Sequence, residues 1–370
     1  MRSCLSALLL LLLTCGTALA QGPDVYVNGT LLPDSTVRMQ EEEVLISLNT
    51  ASALLSLPEP IDGCWEGLDA EAADGLAEGE DFYVPLSFYA EAGLNTGDAS
   101  CGSYRTVIVD NIVPRYDAPG LSGIFQIAHA AGAAADGTLY TNSLEAFQYN
   151  HLFGFSVFEF DLALSTDNVP VSVHVWKQFK TMCRLEEPSS GPLSSEEFLA
   201  CRICGEYTPL TFSGIAALMA ENPDVQVVLD AKRRDIPDYH RILYSAVRDE
   251  ALAAGGDVID RVIPYVYDED MAAELQEIWP WKQVIYALYI LPDGVNLWDA
   301  FLSGYRNGFR VFADWSYELD DRILSLVKAA GLSMFAFTVD DRDEYAALRD
   351  TGAVAGVVTN FLGPYSMDED

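Results

Sequence analysis

Short apolar runs alternate with amphipathic stretches over the last two thirds of the chain. Ile124–Ala130, Val157–Ser165, Val225–Lys232, Val258–Tyr267, Gln283–Ile290, Phe309–Tyr317, Ser333–Asp340 and Gly356–Phe361 read as strands. Each is apolar along most of its length rather than at every second position. That is the pattern of parallel strands covered on both faces. Between them, Leu144–Phe153, Tyr239–Ala254, Leu319–Ala330 and Asp343–Thr351 carry apolar stripes at helical spacing. Eight such strands predict an α/β fold, a (β/α)8 TIM barrel over residues 121–370. An open doubly wound sheet is the alternative, but no glycine-rich phosphate loop follows the first strand. The eighth strand falls close to the end of the sequence, so no full final helix is expected. The segment before Ile124 is expected to cap the barrel instead.

The earlier part has a different texture. VYVNGTLL reads as a hairpin turning at Asn28-Gly29. VLISLNTASALLSL and FYVPLSFYAEAGL each read as a strand running into a short helix, and YRTVIVD as a closing strand. These elements predict a small α+β domain over residues 23–112. Asn111–Gly120, with two prolines and a glycine, reads as a linker. Residues 1–20 read as a signal peptide. Arg2 supplies the positive charge, Leu8–Leu13 the apolar run, and Ala18-Leu19-Ala20 the small-residue cleavage site. That run is too short to span a bilayer, and no later segment is long and apolar enough. The expectation is an exported protein without a transmembrane segment, secreted or held at the cell envelope.

Charge narrows the partners. The net charge is −35, from 21 basic and 56 acidic residues. Nucleic acid and anionic membrane surfaces would be repelled. An anionic substrate therefore needs local positive charge, from a metal ion or a placed lysine. Beyond the signal peptide the cysteines are Cys64, Cys101, Cys183, Cys201 and Cys204. Cys64 and Cys101 share the small domain and are compatible with a disulfide. Cys201-x-x-Cys204 is compatible with a short disulfide or a redox pair. Zinc is disfavoured there, because no second Cys-x-x-Cys or nearby histidine completes a site. The odd total leaves at least one thiol unpaired. Asn28-Gly29-Thr30 is a glycosylation sequon.

The candidate chemistry lies at the ends of the first three barrel strands. His129 ends the first. Glu159 and Asp161 lie two apart in the second, so both carboxylates share one face. His174 follows in a hairpin-like extension, and Asp230 and Lys232 end the third strand. Clustered carboxylates repel unless a cation lies between them, and all-oxygen ligands suit Ca2+ or Mg2+. Two histidines can move protons near neutral pH.

These segments resemble the glycerophosphodiester phosphodiesterase family, within the phosphatidylinositol-phospholipase-C-like barrels. The residues that carry it are AHAAG, TNSLEAF, EFDLALSTDNVPVSVHVW, LDAKRR and FTVDDRDEYAALRDTGAVAGVVTN. The resemblance implies His129 and His174 as general acid and base, and Glu159, Asp161 and Asp230 as ligands of Ca2+ or Mg2+. It implies Lys232 as a phosphate contact and a small-molecule or lipid-derived phosphodiester as substrate. Three positions depart from the family pattern. Ala130 replaces an arginine, Thr141 a glutamate ligand, and Val175 an aspartate after the second histidine. The alternatives are a phospholipase-type enzyme on lipid headgroups and a catalytically silent barrel serving as a cell-surface binding protein. The small domain is similar to the stalk-like N-terminal domain of copper amine oxidases, on Phe82–Leu94 (FYVPLSFYAEAGL). That similarity implies a spacer or adhesion module in contact with the cell envelope. With no histidine there, a copper site is not expected.

Tyr286, Asp314, Trp315, Thr338 and Asn360 fall near later strand ends and are further candidates to line the pocket. Trp279–Trp281 and Trp298 read as packing aromatics, with a lipid-contacting surface as the alternative. Lys177–Thr208, between the second and third strands, is expected to lie over the mouth and shape specificity.

Overall fold

The structure is a computed structural model that describes residues 22–57, 64–65, 68–70, 73–78, 81–186, 191–232, 238–291 and 294–366. The signal-peptide reading of residues 1–20 lies outside these residues. The chain divides into two compact units. One holds residues up to Asn111 together with Asp321–Ala330. The other holds Ile112–Asp320 and the residues from Gly331 onward.

The second unit is a closed parallel barrel. Its strands are Gln126–Ala128, Val157–Leu164, Gln226–Asp230, Val262–Val266, Ile285–Ala287, Val311–Trp315, Ser333–Phe337 and Val354–Thr359. Each pairs parallel with the next, and the first also pairs with the eighth, Ile127 opposite Val358. All eight residues of Val157–Leu164 are buried, which is why the apolar runs are continuous. Short polar caps start the surrounding helices. Ser143 accepts from the Ala146 N–H ahead of Leu144–Leu152, and Asp268 from the Met271 N–H ahead of Glu269–Ile278. Among the described residues, no helix is long and apolar enough to cross a membrane.

Two expectations change in detail. Of the expected linker Asn111–Gly120, Asn111 belongs to the small unit and the rest packs into the barrel unit. The Tyr116 ring stacks on Phe309 with centroids 4.3 Å apart. The Gly120 N–H donates to Gln283 Oε1 at 2.7 Å, and its carbonyl accepts from Gln226 Nε2 at 2.7 Å. Gln226 opens the third strand and Gln283 precedes the fifth, so this segment covers the end of the barrel opposite the site, as expected of the residues before Ile124. Any side chain at position 120 would collide with both glutamines.

The second change concerns Leu319–Ala330, whose apolar stripe reads as a barrel helix. The helix Asp321–Ala329 belongs to the small unit. It packs on the paired strands Asn95–Cys101 and Tyr104–Asp110. Ser325 Oγ lies 2.6 Å from Thr106 Oγ1, and Arg322 Nε donates to Asp24 Oδ2 at 2.9 Å. Gly97 is required there, because a Cβ would overlap the Ala329 carbonyl.

Within the small unit, Asp24–Val27 and Thr30–Leu31 form the expected hairpin, turning through left-handed Asn28 and Gly29. Cys101, Cys183, Cys201 and Cys204 are free thiols, so neither a Cys64–Cys101 nor a Cys201–Cys204 bond is formed. The Cys64 side chain lies outside the described residues.

Candidate active site

A cavity of about 350 Å³ opens among the C-terminal ends of the barrel strands. His129, Glu159, His174, Asp230 and Lys232 line it together with Tyr140, Tyr265, Tyr289, Trp315 and Phe337. Asp161 and Asp230 are direct partners in the register of the second and third strands. Glu159 lies two residues behind Asp161 on the same face. Oxygens of all three carboxylates fall within 4.8 Å of one another, and all three residues are buried.

Such burial is costly unless the charges are met. Lys232 meets part of the charge, with Nζ 3.0 Å from Asp161 Oδ1 and 2.7 Å from Asp230 Oδ2. Burial opposes its charge, but Asp161, Asp230 and Glu159 overcome that and hold the ammonium well above its usual range. Burial also acts against the charged form of Asp161. Lys232, the two histidines and an amide bond from Asn142 (Nδ2 to Oδ2, 3.0 Å) outweigh it and keep the carboxyl ionised. Asp230 accepts from the hydroxyls of Tyr267 and Tyr289, the latter at 2.6 Å. Among the described residues Glu159 has one donor, the Ala130 N–H, 2.6 Å from Oε2. Burial first, then Asp161 and Asp230, push its carboxyl well above the usual range.

The donor set fits a divalent cation. Three carboxylates face one ammonium, their crowding pushes the Glu159 carboxyl toward its protonated form, and every donor is a hard oxygen that a divalent cation would bind in place of that proton.

The loop after the first strand shapes the other side. Ala130, Ala131, Tyr140 and Asn142 all have left-handed backbones. This conformation is unfavourable for residues with a Cβ, and at Ala130 it turns the N–H toward Glu159. Tyr140 lies against both imidazoles, edge-on to His129 at 4.9 Å and stacked on His174 at 5.0 Å. His129 Nδ1 lies 2.9 Å from Asn360 Oδ1. Burial lowers its pKa, against the pull of Asp161. His174 Nδ1 lies 3.1 Å from Gln178 Oε1.

The structure therefore brings all six residues singled out in the sequence to one place. None of the three departures lines the cavity with its side chain. Thr141 is buried, with its hydroxyl 2.9 Å from Ser143 Oγ, and Val175 is exposed. Ala130 contributes its backbone alone. Among the later candidates, Trp315 lines the cavity and Asn360 holds His129. Tyr286 packs against Phe309 and Phe312, away from it. Asp314 is buried, with Oδ2 unpartnered among the described residues, and neither it nor Thr338 lines the cavity. Sequence reasoning missed Tyr140, Tyr265, Tyr267, Tyr289 and Asp340. A signal for two of them was present: Tyr265 and Tyr267 lie two apart at the end of the fourth strand, as Glu159 and Asp161 do in the second. The Tyr265 hydroxyl, buried against the cavity, has no hydrogen-bond partner among the described residues.

Phe179 and Phe198 of Lys177–Thr208 pack with Trp176 in a small core shared with Ala163, Val171 and Val173.

No family model matches the chain, and no curated protein matches it. Solved structures do. A glycerophosphodiester phosphodiesterase from Parabacteroides distasonis superimposes with a TM-score of 0.52 at 18% identity, covering 64% of this chain and 92% of that one. A phosphodiesterase from Oleispira antarctica, in complex with its product sn-glycerol-3-phosphate, gives 0.53 at 16% identity, covering 66% and 95%. The barrel unit has the fold of the glycerophosphodiester phosphodiesterases.

Proposed function

We propose that the barrel unit is a phosphoric diester hydrolase acting on glycerophosphodiesters. The observation that carries this is the convergence of three carboxylates, a lysine and two histidines on one cavity of about 350 Å³. Glu159, Asp161 and Asp230 would hold Ca2+ or Mg2+, and such an ion neutralises phosphate charge and acidifies the attacking hydroxyl. Lys232 adds positive charge where the substrate's phosphate would lie. His129 acts as the base. Asp340 accepts from Asn360 Nδ2, so Asn360 Oδ1 faces His129 Nδ1. That contact makes Nδ1 the protonated nitrogen and leaves Nε2 free to take a proton. His174 then donates a proton to the departing alcohol oxygen as the P–O bond to it breaks.

The signal-peptide-like start supports export. The small unit's sequence similarity supports a spacer that meets the cell envelope. The test is hydrolysis of a soluble glycerophosphodiester with Ca2+ or Mg2+, run beside His129→Ala and Glu159→Ala. Wild-type turnover should exceed both by at least about 10²-fold. Equal rates would overturn the proposal.

A further inference from the structure

Cys183 meets Cys201 and Cys204, neighbours of each other but not of it in sequence, in one small core. Cys183 ends the helix Trp176–Met182, and Cys201 ends the helix Ser195–Ala200. Cys204 follows in a left-handed turn, where its N–H donates to the Met182 carbonyl at 2.9 Å. That bond lays Cys204 along the end of the helix that carries Cys183. All three side chains pack into the core built on Trp176, Phe179 and Phe198. The Cys183 and Cys201 thiols are in hydrogen-bond contact with each other. A disulfide requires the sulfurs to close to about 2.05 Å, and both thiols stand at helix ends, where Cys183 shares a hydrogen bond with Cys201 and Cys201 Sγ donates to the Glu197 carbonyl at 3.3 Å.

We propose that Cys183 and Cys201 are a disulfide-forming site that staples these two helices together. The Cys-x-x-Cys spacing nominates Cys201 and Cys204 as the pair; the fold brings Cys183 to Cys201 instead. Closure takes two thiol–disulfide exchanges with an external disulfide such as oxidised glutathione. The first forms a mixed disulfide on one cysteine and releases one external thiol. The second forms the Cys183–Cys201 bond and releases the other, so the external disulfide takes up two electrons and two protons. Burial, with Cys201 adding to it, pushes the Cys183 thiol up to about 12. The thiolate is the reactive form, so closure is slow at neutral pH and quickens as pH rises.

The staple bears on the candidate site. The stapled helix carries Gln178, which holds His174 Nδ1. Joining Cys183 to Cys201 fixes the far end of that helix and steadies the imidazole's support.

The test uses the full chain, incubated at pH 8.5 with oxidised glutathione, alkylated without reduction, digested and mapped by mass spectrometry. The expected product is a peptide pair joined through Cys183 and Cys201, with Cys204 alkylated. Oxidation should raise the melting temperature by roughly 5 °C, and Cys183→Ala should abolish both results. Should Cys183→Ala fail to fold, the wild-type map alone decides. Alkylation of all three thiols, or a Cys201–Cys204 link, overturns the proposal. None of these readouts depends on phosphodiesterase activity.

Discussion

Asn360 Oδ1 lies 2.9 Å from His129 Nδ1, and Asn360 Nδ2 donates to Asp340 Oδ2 at 2.7 Å. The carboxylate thus sets the amide, and the amide sets the imidazole tautomer. Asp340 Oδ1 is already occupied by Thr359 Oγ1 and the Asn360 N–H. In Asp340→Asn the new amide oxygen keeps those two donors, and its NH2 faces Asn360. The Asn360 amide must then turn, presenting NH2 to His129 and moving the imidazole proton to Nε2. The expected outcome is a loss of roughly 10²-fold or more in kcat with little change in fold. Nitrogen NMR of the imidazole would read the tautomer directly, and an unchanged Nδ1–H signal would sink this account.

Glu159 predicts a metal-linked dependence on pH. Its folded pKa is raised above the ordinary 4.5, by burial first and then by Asp161 and Asp230. Above pH 4.5 the folded state therefore holds a proton that the unfolded state has lost, and stability falls as pH rises. Melting of chelator-treated protein should decline from pH 5 upward. Added Ca2+ or Mg2+ should restore it, most strongly at the higher pH. Glu159→Gln should flatten the decline and remove the metal's effect.

Lys232 joins two buried carboxylates in the second and third strands. Lys232→Met leaves them facing each other without a counter-charge. Chemical denaturation at pH 8 without metal should show a loss of roughly 1–3 kcal/mol, since the lysine is partly exposed. Phosphodiester turnover should fall as well. A variant as stable as wild type would mean that the pair contributes nothing.

Tyr265 should behave in the opposite way. Its hydroxyl is buried and unpartnered among the described residues, so Tyr265→Phe removes a polar group that gains nothing there. Ligand-free protein should become more stable, on the order of 1 kcal/mol by urea titration. A clear loss of stability would show that the hydroxyl does find a partner.

Asp314 is 1% exposed, and burial raises its pKa from 3.8 to about 7. Between those values the folded chain binds the extra proton, so this residue costs stability as pH climbs from about 4 to 7. Asp314→Asn should remove that part of the slope, on the order of 2–4 kcal/mol by pH 8. Denaturation midpoints at pH 5 and pH 8 would decide it.

The barrel was legible because burying both faces of a strand leaves a continuous apolar run, and eight such runs stand out. Glu159, Asp161 and Asp230 were legible because carboxylates interrupt those runs where only function repays their burial. The aromatic wall was not. Tyr265, Tyr289 and Phe337 are ordinary residues for a barrel core, and only closure shows which of them reach the cavity. Asp340 was hidden for another reason: it acts through Asn360, and nothing local ties it to His129, more than two hundred residues earlier. The helix Asp321–Ala329 has the amphipathic period of any barrel helix. Periodicity reports that a face is covered and not what covers it.

That helix has a bearing on how the protein is made. The small unit is built from the beginning of the chain and from a piece that emerges only after most of the barrel. During synthesis its two strands Asn95–Cys101 and Tyr104–Asp110 wait, uncovered on one side, until residue 329 has left the ribosome. The hairpin side of this unit can form early, but the unit as a whole matures late. A fragment ending near Asn111 would therefore be an unfinished structure, prone to pair its bare sheet with another copy.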